Sequence, residues 1–227
     1  MILAGSVVNA AVVFLCAILG MVFRKGIPAR FQTILTSALG ASIICMGVQA
    51  VLETQHMLVM ILSLVAGALL GEWINIDLYL AKSGAWLQRK FKNQDKIAEG
   101  FVVSTLLFCV GSMAIMGAIQ SGTQNNHTIL FTKTVLDGVM AIVFASAYGV
   151  GVVFSAIPVL IYESALILAA DGLSAYLDPM VLNEISATGG ILLVLLGFNL
   201  LNLKEEKFKV ANLLPALFFP LLMPLFL

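Results

Sequence analysis

Apolar stretches of similar length recur along the chain, separated by short polar or charged breaks. They lie near residues 3–23, 33–53, 57–75, 100–120, 135–154, 156–171, 184–202 and 210–226. A helix needs about 20 mostly apolar residues to cross the hydrocarbon of a bilayer, and most of these stretches approach that length. The fifth and sixth come from one run, Thr134 to Ala170. As a single helix that run would be about 55 Å long at 1.5 Å per residue, against a hydrocarbon core of about 30 Å. It contains "YGVGVVFSAIP", where Gly149, Gly151 and Pro158 can break a helix. The pattern therefore predicts an all-α polytopic transmembrane helix bundle with about eight membrane segments. Seven is the alternative if the long run is not divided.

Charge placement bears on that choice. Of 12 Lys and Arg residues, three fall in "RKGIPAR", five in the stretch after the third segment and three in "KEEKFK". Eight crossings put all three loops on one face, which the positive-inside rule makes cytoplasmic. Both termini are then external, and Lys133 is the basic residue left near the outer side. The 77–99 loop mixes Leu78, Leu80, Trp86, Leu87 and Phe91 with charges. It reads either as an amphipathic helix on the inner membrane surface or as a solvated linker.

Composition narrows the class. The chain is 61% hydrophobic and 11% charged, where soluble domains carry about 25% charged residues. Residues 1–227 read as a single transmembrane domain in a lipid bilayer. A net charge of zero gives no basic field for nucleic acid. "MILAGSVVN" lacks the positive charge that opens a signal peptide, so the first segment is expected to be a retained helix. Cys16, Cys45 and Cys109 sit singly in apolar runs without metal-ligand spacing. No G-x-S-x-G elbow, Walker loop or H-E-x-x-H pair occurs. No catalytic residue, metal site or cofactor is expected, and an intramembrane enzyme is the least favoured class.

Two further patterns concern architecture. "GMVFRKGIP" and "GVVFSAIP", then "ALLGEWINIDL" and "VLLGFNLLNLK", stand at the same order in the two halves. They make a two-half internal repeat a candidate. "FCVGSMAIMGAIQSG" is apolar yet dense in small residues. Such residues serve close helix packing, or a backbone break at Gly111–Ser112 that exposes polar groups to a substrate.

The blocks "GSVVNAAVVFLCAILG", "LLFCVGSMAIMGAIQSG", "LFTKTVLDG", "SAIPVLIYESAL", "ISATGG" and "NLLPAL" together resemble the bacterial membrane family catalogued as domain of unknown function 554. The resemblance extends over essentially the whole chain. It implies a multi-pass protein of the bacterial cytoplasmic (inner) membrane with a role in transport, and it implies no substrate. It also implies one departure: Gln is the expected residue where this chain carries Glu163, so a charge-dependent role there would not extend across the family.

A charge inside a membrane helix is expensive and needs a reason. Glu163, within "IPVLIYESALILAA", reads as a cation or proton site, or as a neutral carboxyl held by a neighbouring helix. Lys133 and Asp137 are four apart and share a helical face. They read as vestibule residues or as a self-neutralising ion pair. Asn9 and Asn199 read as interhelical hydrogen-bonding groups or as cavity lining, and Asn212 as a partner for backbone freed by Pro215. Glu53, Glu72, Glu184 and Asp171 lie near segment ends, where a solvated carboxylate is expected. The candidate substrate- or ion-binding set is Glu163, Asp137, Lys133, Asn9, Ser112, Gly111 and Asn199. The functional expectation is a transporter or channel for a small polar solute or ion, with the pathway between segments 1, 4, 5 and 6. A membrane scaffold, assembly factor or sensor partner is the alternative, and a homo-oligomer is compatible with either.

Overall fold

The computed structural model describes residues 2–24, 28–91, 96–174, 178–203 and 206–225. Lys25, Lys92 and Lys204 of the three basic loops lie outside them. The described residues are mostly helical, with no strand among them. The elements are α1 (Ala4–Arg24), α2 (Ala29–Val51), α3 (Met57–Ile74), α4 (Ile76–Lys90), α5 (Ile97–Cys109), α6 (Ser112–Gln124), α7 (Thr128–Tyr148), α8 (Val150–Phe154), α9 (Ala156–Leu168), α10 (Ala170–Leu173), α11 (Pro179–Leu201) and a 3-10 helix (Val210–Leu225).

Six stretches are long and apolar enough to span a bilayer: α1, residues 30–51 of α2, α3, α7, α8 with α9, and α11. The pair α5 and α6 makes a seventh, bent by 60°. The 3-10 helix is the eighth apolar segment. Its Pro215, Pro220 and Pro224 each delete an α-helical hydrogen bond and crowd the carbonyl four residues back. The protein is thus an all-α, multi-pass transmembrane bundle.

Two breaks shape it. Gly111 has φ +133° and Gly149 has φ +77°, values that side chains with a Cβ rarely adopt. The fourth segment therefore bends at Gly111 instead of running straight from 100 to 120. The long apolar run divides at Gly149, earlier than the expected boundary near residue 155. Pro158 falls in the first turn of α9, where its missing N–H is not needed. The 77–99 loop contains α4, which buries Gly84 and Leu87 and leaves Tyr79 and Trp86 exposed.

The chain forms two compact units. The first comprises Met1–Ile34, Leu80–Cys109 and Met113–Gly172. In it α1 and α7 lie side by side in the same direction, with Gly5 against Leu130 and Gly20 against Ile142 and Ala145. A Cβ at Gly20 would overlap the Ile142 carbonyl. Gly100 rests on Tyr148 and Gly151 on the Ile97 carbonyl, so the start of α5 meets the end of α7 and the start of α8. Gly117 meets Leu130, and Gly122 meets Ile167 and Ala170. Most of the small-residue stretch therefore serves close packing, and Gly111 alone in it supplies the break.

The second unit comprises Leu35–Tyr79, Val110–Ser112 and Leu173–Leu227. Here α2 and α11 cross in opposite directions through Gly40 against Gly197 and Gly47 against Gly190. Gly67 and Gly71 let α3 lie against Ala216 and Asn212 of the 3-10 helix. Asp178 caps α11 by accepting from the Val181 N–H at 2.8 Å, with Pro179 at the first helical position. Glu184 departs from its expected solvated state. It is fully buried and accepts the Thr54 hydroxyl at 2.7 Å, the Gln55 N–H at 2.8 Å and the His56 N–H at 2.9 Å. It thereby ties α11 to the turn that starts α3.

Candidate functional site

Three apolar helices of the first unit converge on a polar cluster. Asn9 comes from α1, Lys133 and Asp137 from successive turns of α7, and Glu163 from the middle of α9. Asn9 and Glu163 are 0% exposed, Lys133 5% and Asp137 8%, so the group is closed off from both water and lipid. The close approach of α1 and α7 depends on glycine, since Gly138, next to Asp137, faces Val12 and Cys16.

The bonding is specific. The two hydrogens of the Asn9 amide serve two acceptors, Asp137 Oδ2 at 3.1 Å and Glu163 Oε1 at 2.7 Å. The Lys133 ammonium donates to Asp137 Oδ2 and lies 3.3 Å from Glu163 Oε1. Beside the cluster the Ser6 and Ser164 hydroxyls are 3.0 Å apart. Lys133 and Asp137 thus form the ion pair expected of them, buried and with Glu163 beside it. Two oxygens in the cluster have no donor among the described residues: Asn9 Oδ1 and Glu163 Oε2. Both are acceptors, so neither can satisfy the other without an added positive group.

Asn9 lies five residues after the start of α1, which is about 7.5 Å along the axis at 1.5 Å per residue. Lys133 likewise lies five residues into α7, whereas Asp137 stands at the centre of that helix, so the cluster reaches from the first turns of α1 to the middle of α7.

Of the seven candidate residues, the structure brings four together: Asn9, Lys133, Asp137 and Glu163. Gly111, Ser112 and Asn199 fall in the second unit. Gly111 makes the bend that Ser112 follows as the first residue of α6. Asn199 is occupied by backbone, donating to the Phe208 carbonyl at 2.8 Å and accepting its N–H at 2.8 Å. Asn212 likewise has another partner than the expected one. It accepts the Asp77 N–H at 2.7 Å and donates to Glu72 at 2.7 Å, while Lys209 pairs with Glu72 at 2.7 Å. The residue most underestimated from sequence is Glu184. Its signal was the cap "DP" six residues earlier, which places it inside a helix and not at its frayed end.

Comparison with known proteins agrees with the membrane fold and assigns no activity. The chain is 35% identical over 222 residues to the uncharacterized membrane protein YdfK of Bacillus subtilis (strain 168), covering 95% of this chain and 93% of the relative. It is 31% identical over 227 residues to the uncharacterized protein YqgA of Escherichia coli (strain K12), covering 97% and 95%. No solved structure matches it significantly. The family model described as "Protein of unknown function (DUF554)" matches residues 4–225, and the chain belongs to that family of membrane proteins.

Proposed function

We propose that this protein is a transporter or channel for a small polar solute or ion, with a route through the first unit between α1, the α5–α6 pair, α7 and the α8–α9 span. One observation carries the reading: three ionisable side chains and an amide, almost fully buried, meet on helices that are otherwise apolar. A charged residue in a membrane helix costs at least about 2.5–3.5 kcal/mol. Apolar side chains would hold α1, α7 and α9 together as well or better, so a purely structural role gives no reason for the charges. The helices of the proposed route pack together in the first unit, and their break at Gly149 is the kind of irregularity that accompanies sites in transporters. The closed cluster corresponds to an occluded conformation that must open to one side for exchange. We place the protein in the bacterial cytoplasmic membrane with both ends external, on the charge asymmetry of its loops.

The test is flux into proteoliposomes containing the full chain. The probes are protons, alkali-metal ions and a panel of small amino and carboxylic acids. Flux that falls in Asp137→Asn and Lys133→Met, with both variants still folded, is the expected result. Correctly folded protein that passes none of these probes would return it to the scaffold class.

A further inference from the structure

We infer that Glu163 Oε2 and Asn9 Oδ1 form a binding site for one exchangeable positive charge, either a proton on the carboxyl or an alkali-metal ion between the two oxygens. The inference deepens the transport reading by naming the class of ion, and the binding itself is measurable without transport. Charge balance supplies the first argument. Lys133 is the cation paired with both Asp137 and Glu163, so the ionised cluster carries one uncompensated negative charge. Water is the usual remedy, yet Glu163 and Asn9 are 0% exposed, and a buried lone charge is strongly unfavourable.

Bonding supplies the second argument, independently of charge. Glu163 Oε1 already receives the Asn9 amide at 2.7 Å and has the Lys133 ammonium at 3.3 Å. Among the described residues its other oxygen, Oε2, receives nothing, and Asn9 Oδ1 receives nothing. The two unsatisfied atoms belong to the same amide–carboxyl pair, and both are acceptors. Buried acceptors of this kind call for a donor or a cation. A proton on Oε2 supplies a donor and cancels the charge. A small monovalent ion does both by coordination. A divalent ion would leave the cluster with an excess positive charge, which the same balance disfavours.

The remaining ionisable groups near Glu163 do not supply that charge. From α7 it faces Lys133 and Asp137, from α5 the Cys109 thiol, and on its own helix the Tyr162 phenol. From α1 it faces Asn9, and Ser6 bonds the neighbouring Ser164. Cys109 and Tyr162 are neutral or negative when they titrate. Lys133 is already counted, and the added charge must therefore arrive from solution.

Infrared spectroscopy of the full chain in detergent decides the matter, read at the carbonyl stretch of a protonated carboxyl. The titrants are sodium and potassium chloride, with choline chloride as the control salt. A protonated-carboxyl band at neutral pH that Glu163→Gln removes, and that no salt alters, assigns the proton. Loss of that band with saturable dependence on sodium or potassium, and half-saturation raised about tenfold or more in Asn9→Ala, assigns the alkali ion. Glu163 ionised in choline alone, with no response to either ion, overturns the inference. Should Glu163→Gln not fold, Asn9→Ala makes the assignment, because loss of its bond to Oε1 shifts the Glu163 band. Binding without flux of any probe would remove the transport reading and keep the site. Flux with Glu163 ionised and unresponsive would do the reverse.

Discussion

Gly47 of α2 and Gly190 of α11 meet backbone against backbone. A Cβ on either would lie 2.5 Å from the carbonyl oxygen of the other. Seven residues along each helix, Gly40 and Gly197 repeat the contact, so the crossing is held by two glycine pairs spaced two turns apart. Between membrane helices the gain from such contacts is dispersion and close backbone packing, because lipid already satisfies the apolar surface.

Gly47→Leu or Gly190→Leu should therefore force α2 and α11 apart. Overpacking of this kind costs about 1–3 kcal/mol, and the backbone on the far side gives no room for relief. Thermal unfolding in detergent should show a clear loss for either variant. Gly172→Ala is the control, since nothing lies within 4 Å of a Cβ there, and it should melt as the wild type does.

Glu184 offers a test of burial without reference to function. Its carboxyl serves two backbone N–H groups and the Thr54 hydroxyl. Glu184→Ala takes the acceptor from three part-buried hydrogen bonds, at about 0.5–1.5 kcal/mol each before relaxation. Glu184→Gln keeps one carbonyl oxygen and should lose less. Equal stability of the two variants would mean that the turn before α3 is held by something else.

The ion pair in the first unit should be strongly non-additive. Lys133→Met leaves Asp137 and Glu163 facing each other without a cation, and breaking a buried pair costs about 3–5 kcal/mol. Asp137→Asn alone should be milder, because Lys133 keeps Glu163. Lys133→Met combined with Asp137→Leu removes one charge of each sign and should be more stable than Lys133→Met alone. A double-mutant cycle on thermal stability reads the coupling directly. Simple additivity would show that the two side chains do not interact.

These contrasts follow how far the fold and site could be read from the sequence. The membrane class and the position of most segments were legible because both are set by the length and apolarity of runs. The site was legible in its members Asn9, Lys133, Asp137 and Glu163, since each is a polar residue that lipid would reject. Their meeting was not, because it depends on which helices pack, and the glycines that decide this look alike in sequence. Asn199 shows the converse. Its amide is as buried in sequence context as that of Asn9, but the following loop returns to pair with it through Phe208. The bend at Gly111 and the 3-10 winding of the last segment are backbone outcomes that apolar patterning does not encode.

The pH response of the Glu72–Lys209 pair has a definite sign. The hydrogen bond from Lys209 to Glu72, with the attraction between them, raises the Lys209 pKa above its ordinary value. A raised folded-state pKa means that the pair stabilises below the unfolded value and loses that contribution as pH rises through the folded one. The pair is solvent-accessible, so the effect is small and screened by salt. Wild type and Lys209→Met should differ most near neutral pH and converge above the lysine range. A difference that grows with pH would contradict the assignment.

The last prediction is topology, and the packing directions within each unit bear on it. In the first unit α1 runs parallel to α7, while α9 runs against it, as the contacts Gly5–Leu130, Gly20–Ile142 and Asn9–Glu163 require. In the second unit α2 runs against α11, and α3 against the 3-10 helix. Eight alternating crossings satisfy every one of these relations, with α5–α6 counted as one crossing and α8–α9 as another. Fusing α7 with α8–α9 into one crossing would make α9 continue in the direction of α7, which the meeting of Gly20 with Ile142 and of Asn9 with both Asp137 and Glu163 forbids. The positive-inside rule then puts residue 206 in the cytoplasm and the α6–α7 loop outside. Single cysteines at Glu206 and at Asn126, in a chain lacking Cys16, Cys45 and Cys109, test this with a membrane-impermeant thiol reagent on intact cells. Position 126 should label from outside and position 206 only after permeabilisation. Labelling of both from outside would break the alternation, and the reverse pattern would invert the protein in the membrane while leaving its crossings intact.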